Sequence, residues 1–159
     1  MGWTAKARCG SRPMLRVDTD TMKITTEANI PAPIDAVWRA FNDPDDIVRW
    51  DASADWLIAS ASNDLKVGGL LKLHMTPSDG GSGSDFAAIY TRIEPNRLLE
   101  WQQLDDGRHV RVEFIDAGSS VTVRQIFDGD PAIPCEVERA DWQGVLDNFA
   151  RYVMTIYTP

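Results

Sequence analysis

The chain has 159 residues, 43% of them apolar and 25% charged, with a formal net charge of −8. That length suits a single domain that buries about two-thirds of the surface its unfolded chain exposes, so neither a metal nor a disulfide is needed to hold it together. Lys6, Arg8, Arg12 and Arg16 outweigh Asp18 and Asp20 in the first 21 residues, a net of +2 that leaves −10 for the rest, and so acidic a domain disfavours nucleic acid and anionic membrane surfaces as partners.

Residues 1–21 show neither a helical nor a strand period and read as a disordered N-terminal extension, with residues 22–159 as the folded domain. Cys9 falls in the extension and Cys135 far beyond it, without the spacing of a redox or metal motif, so both read as free thiols in a reducing cytoplasm. No apolar run is long enough to span a bilayer, and the N-terminus lacks the apolar core of a secretory signal. These readings together predict a cytoplasmic protein.

"MKITTEANI" alternates and is rich in β-branched residues, which predicts a strand. "PAPIDAVWRAFNDP" follows, with Pro33 suited to a first helical turn and Ile34, Val37, Trp38 and Phe41 spaced as one apolar helix face. Pro44 ends that helix. Asp43 then caps a second short one in "DPDDIVRW", whose Asp45 and Asp46 suit the positive end of the helix dipole.

From Leu57 to Phe127 the period becomes two. Leu71, Leu73 and Met75 alternate with Lys72 and His74; Phe86, Ala88 and Tyr90 share a face; so do Leu99, Trp101 and Gln103. Val110, Val112 and Phe114 alternate with Arg111 and Glu113, and Val121, Val123, Gln125 and Phe127 complete the set. The separators "PSDGGSGSD", "EPN", "DDG" and "DAGSS" are turn chemistry, so about six strands form an antiparallel meander. "EVERADWQGVLDNFARYVMTIY" closes the chain as a long helix with Trp142, Val145, Leu146, Phe149, Val153 and Ile156 as its apolar stripe. Gly144 inside it costs about 1 kcal/mol relative to alanine, a sign of close packing there or of drift.

The order strand, two short helices, about six strands and one long helix is an α+β layout. The motifs "PAPIDAVWRAFNDPDDIVRW", "NDLKVGG", "YTRIEPNRLLEW" and "WQGVLDNFARYV" resemble, in combination and in order, the SRPBCC (START-like, helix-grip) superfamily. Within it they are most similar to the branch named after the activator of the 90-kDa heat-shock-protein ATPase. The resemblance implies a curved antiparallel sheet of six or seven strands wrapped around the long helix, two short helices closing one end, and a deep cavity between sheet and helix. It also implies that Trp50 packs the second short helix down, and it leaves open whether Trp56, leading into the second strand, borders the cavity mouth.

Members of the superfamily bind apolar molecules in that cavity, and a few act as polyketide cyclases. The resemblance therefore implies a non-catalytic protein that binds an apolar, aromatic or lipid-like small molecule. Its candidate ligand residues are Trp38, Trp56, Leu73, Met75, Phe86, Tyr90, Trp101, Val112, Phe114, Gln125, Trp142, Leu146 and Phe149. Tyr90 and Gln125 are the polar groups on the inward face, with direction-giving or purely structural hydrogen bonding both open for each. A polyketide cyclase-like enzyme in the same cavity and a cochaperone-like interaction module are the alternatives, and a chaperone partner and a homodimer stay open.

Parity places His74, His109, Glu100 and Glu113 on the opposite, solvated face, away from any acid–base role. No metal motif, P-loop or nucleophile constellation is present, so no cofactor, metal or catalytic residue is expected. Gly68 and Gly69 in "NDLKVGG" read as a backbone bend at strand entry.

Overall fold

The structure is a computed structural model and describes residues 23–53 and 55–157. The expected extension over residues 1–21 lies outside the described residues. Strand β1 (Lys23–Ile30) leads into helices α1 (Ile34–Asn42) and α2 (Pro44–Trp50). Six strands follow: β2 (Trp56–Asn63), β3 (Leu70–Pro77), β4 (Ser84–Glu94), β5 (Leu98–Gln103), β6 (His109–Asp116) and β7 (Val121–Asp128). Helix α3 (Cys135–Ile156) ends the chain's regular structure.

All seven strands form one antiparallel sheet in the order β1-β7-β6-β5-β4-β3-β2. The meander β2–β7 arises from local turns, and β1 joins the far edge beside β7. The chain between β1 and β2 must therefore cross from one edge of the sheet to the other. It does so through α1 and α2, which is why these two helices close one end of the curved sheet. The layout is the helix-grip fold expected from the sequence.

The two short helices share one junction residue. The backbone N–H of Asp43 donates to Arg39 O at 2.9 Å and ends α1, while its side chain accepts from the Asp45 N–H and starts α2. Pro44 follows at the first helical position, where its missing N–H costs nothing. Pro33 is the N-cap residue of α1 rather than part of its first turn, and it caps through no side chain. Trp50 packs α2 onto α1: its indole N–H donates to Ala40 O at 2.9 Å.

The outward sheet face carries a ladder of opposite charges across four strands. Arg111 bridges Glu100 and Glu113, and Arg124 bridges Glu113 and Glu27. The hydrogen bond from Arg111 holds the Glu113 carboxyl below its ordinary range. Glu100 and Glu113 thus face solvent, as parity predicts. So do His74, beside Asp85 at 2.7 Å, and His109, beside Asp128 at 3.6 Å.

Two sequence readings need correction, and a third, left open at Gly144, is decided. Ile156 is 50% exposed, so the apolar stripe of α3 does not extend to its last residue. Cys135 is buried and disulfide-bonded, so it is not the free thiol expected; Cys9 lies outside the described residues. Gly144 is exposed, and an added Cβ would meet nothing within 4 Å, so close packing is not its reason. Gly69 is the contrary case: a Cβ there would come within 2.2 Å of the Asp64 carbonyl oxygen. Gly68 beside it sits at φ +86°, and the pair hydrogen-bonds with the Tyr90 backbone through both its N–H and its C=O.

The two glycines should respond with opposite sign to the same substitution. Gly144→Ala is expected to stabilise by about 0.5–1 kcal/mol in chemical denaturation, as an exposed helix interior allows. Gly69→Ala is expected to lower the denaturation midpoint because backbone must move.

Candidate functional site

Between the inner sheet face and α3 lies a cavity of about 310 Å³, within the size range of small-molecule sites. Its walls follow from strand parity. Trp56 and Ile58 come from β2, Leu71, Leu73 and Met75 from β3, Phe86 and Tyr90 from β4, Trp101 and Gln103 from β5, and Gln125 from β7. Helix α3 supplies Glu138, Asp141, Trp142 and Val145. Phe41 and Asn42 of α1, with Ile47 and Trp50 of α2, form the end wall, and Asp51, Ser53 and Ile133 come from connecting loops.

The expected ligand residues fall into two groups. Trp56, Leu73, Met75, Phe86, Tyr90, Trp101, Gln125 and Trp142 line the cavity. Trp38, Val112, Phe114, Leu146 and Phe149 do not; they belong to the solid core or pack against it. Phe149 is fully buried and meets Phe41 at 5.2 Å and Trp50 at 4.8 Å between ring centroids. Phe114 meets Phe41 at 5.4 Å and Trp38 at 5.0 Å, both edge to face. These rings fill the space behind the end wall, so the residues there have no open volume to face.

Four polar features bear on what the cavity can do. Tyr90 donates its hydroxyl to Asn63 Oδ1 at 2.8 Å, and Asn63 in turn donates to Asn42 O. Burial raises the tyrosine hydroxyl above its ordinary range, against the opposing pull of Asn63, so it stays a neutral donor with its proton already placed. Gln125 accepts from Thr26 at 3.1 Å through its amide oxygen, and among the described residues its amide nitrogen has no partner. Gln103 is buried, and its side chain likewise has none.

The third feature is Trp101, only 7% exposed, whose indole N–H is the one fully enclosed side-chain donor or acceptor without a partner among the described residues. An unmet buried donor costs about 1–3 kcal/mol, so it marks a place where an acceptor is wanted. The fourth is Asp51, at the C-terminal end of α2. Part of its surface reaches solvent, yet surrounding protein desolvates the carboxyl and pushes it up to about 7 from an ordinary 3.8. No ion pair or side-chain hydrogen bond relieves it among the described residues. Glu138, by contrast, is tied up: it accepts from Arg108 at 2.7 Å and from the Asp130 N–H at 2.8 Å. No group of three or more metal-ligating side chains occurs among the described residues.

Residues 31–154, most of the chain, match the family described as activator of Hsp90 ATPase homolog 1-like protein. The chain belongs to this family. An AHSA1-like protein from Aeromonas hydrophila, solved in solution, is 43% identical over 85% of this chain and 94% of that one, with a TM-score of 0.78. Chr148 from Cytophaga hutchinsonii is 35% identical over 84% and 93% of the two chains, with a TM-score of 0.73. At 14% identity, NE0264 from Nitrosomonas europaea still superposes with a TM-score of 0.75 over 88% and 98%, a likeness of fold alone. Among curated proteins, none matches. For this member of the activator-like family, the helix-grip fold and a ligand-binding type of domain are thus shown.

Asp51 was not reachable by periodicity, since it sits on no strand face and no helix stripe. Its only sequence signal is a carboxylate directly after Trp50, at the end of a short helix. Its raised pKa has a definite sign for stability. The folded state holds the proton more tightly than the unfolded chain, so stability falls as pH rises from about 4 to about 7 and the penalty is complete above that. Asp51→Asn is expected to raise the melting temperature at pH 8 and to change it little at pH 4, as differential scanning calorimetry would show.

Proposed function

We infer that this protein binds an apolar small molecule in the cavity between sheet and α3, without turning it over. The observation that carries the reading is a largely apolar cavity whose wall keeps the unpartnered amide groups of Gln103 and Gln125. Apolar walls with a few polar anchors are the general anatomy of small-molecule sites. Affinity would come from burying ligand surface at about 25 cal/mol per Å², less the cost of association. The Trp101 ring would form part of the apolar wall, and the free amide groups of Gln103 and Gln125 would orient the ligand.

A cyclase-like enzyme is a second reading, and Asp51 favours it, because a carboxyl poised near neutral pH can exchange protons with a bound substrate. The other groups an enzyme would need, Glu100 and His74, face solvent. The chaperone partner and the homodimer are proposals without a surface of their own. The exposed large apolar side chains are spread over several elements, with Leu57 on β2, Ile115 on β6 and Val137, Met154 and Ile156 on α3, and Val137 lies at the opposite end of that helix from the other two. No helix among the described residues is long and apolar enough to cross a membrane. A cytoplasmic location is proposed from the sequence alone, and the disulfide at Cys135 weighs against it.

Native mass spectrometry of the freshly purified full-length protein, followed by denaturation and identification of what is released, tests binding. An apolar compound retained by the protein and lost in Leu73→Trp, which fills the cavity, is expected. An empty protein that also fails to enhance the fluorescence of the neutral dye N-phenyl-1-naphthylamine would refute it. Trp101→Phe removes the unmet donor with part of the ring, and Gln125→Leu, which removes a free amide group at the cavity wall, is expected to weaken retention of a hydrogen-bonding ligand by about tenfold.

A further inference from the structure

The cavity carries charge of one sign only. Asp51, Glu138 and Asp141 line it, and no lysine, arginine or histidine does so among the described residues. The carboxylate of Glu138 is neutralised by Arg108, and Asp141 stands exposed at the rim. Neither Asp141 nor Asp51 has a cation or a hydrogen-bond donor to meet its carboxyl among the described residues, but Asp141 is exposed to water, whereas Asp51 is shielded at the cavity wall. It follows Trp50 directly in the chain, and Phe41, Trp56 and Trp142 supply further aromatic faces around the same space.

We propose that the cavity selects apolar ligands that carry a protonated amine, with Asp51 as counterion and the aromatic walls receiving the cation's flanks. The proposal rests on the cavity being a ligand site. Its physical basis is the cost of each alternative. An anionic ligand, such as a fatty acid, would place a second negative charge beside Asp51 with no cationic lining group to offset either. A neutral ligand would leave Asp51 as it is, desolvated and unpaired. A cationic amine completes it, and ring faces attract cations through their quadrupoles. The net charge of −8 also draws cations toward the protein before they dock. The raised carboxyl of Asp51 agrees with this reading, since a group that lacks a counterion in the free protein gains most from one brought by a ligand.

Isothermal titration of the full-length protein at pH 7.5 with three matched probes tests the selection: 1-naphthylmethylamine, 1-naphthalenemethanol and 1-naphthoate. The amine is expected to bind at least tenfold more tightly than the alcohol, and the carboxylate most weakly of the three. Asp51→Asn is expected to cost the amine about tenfold and to leave the alcohol within about twofold, which also shows that the variant folds. Equal binding of amine and alcohol, or an amine affinity that ignores Asp51→Asn, would overturn the selection while leaving the cavity a binding site. If none of the probes binds the wild-type protein, the cavity reading and this inference fall together.

Discussion

The aromatic wedge at one end of the fold decides the shape of everything else. Phe41, Trp50, Phe114 and Phe149 meet ring on ring between the sheet, the short helices and α3, edge to face except for the tilted Phe41–Trp50 pair. Rings of that size fill the space fully, so this end is solid core. Phe41 and Trp50 present their other sides to the cavity and form its end wall. The same side chains thus hold the helices down and bound the open volume. The hydrogen bond from Trp50 to Ala40 fixes the orientation of the wall. The two tryptophans near the acidic turn therefore divide the work: Trp50 is structural and a wall at once, while Trp56, half-buried at the start of β2, lines the cavity from the sheet.

The balance of polar groups follows from that division. Toward the solid end, polar atoms are paired: Asn42 bonds to Trp38 O, and Asn63 bridges Tyr90 and Asn42. Around the open volume, Trp101, Gln103, Gln125 and Asp51 retain unmet hydrogen-bonding capacity. A closed core does not tolerate four such groups, because each desolvated polar atom costs free energy. Their gathering around one apolar space is what separates a ligand site from a packing defect. Membership in the activator-like family agrees with a ligand-binding type of domain, and the particular ligand chemistry comes from this chain's own residues.

Much of the fold was legible because two periods carry it. Alternation in "LLKLHM" and "HVRVEF" separates inward Leu71, Leu73, Val110, Val112 and Phe114 from outward Lys72, His74, Arg111 and Glu113, and the structure keeps that division. Parity names the face of a residue but not how far the opposing helix stands from it. Val112 and Phe114 share a face with residues that line the cavity, yet α1 and the wedge close over this end of β6, with Trp38 and Phe41 against Phe114. Leu146 and Phe149 are one and four residues from Val145 on α3 and sit against the core instead of the open space. Asp51 escaped for a different reason: it belongs to a connection without a period, and only the three-dimensional path brings it to the wall.

The account stands on the cavity being an accessible space rather than collapsed core. Methyl-resolved NMR of the 13C-labelled protein titrated with N-phenyl-1-naphthylamine measures this directly. The methyls of Leu71, Leu73, Met75 and Val145 line the space, whereas those of Val112, Val153 and Leu146 are packed away from it. The account predicts saturable shifts in the first set, with the second set nearly still. Shifts spread evenly over both sets, or confined to exposed Leu57 and Met154, would contradict it.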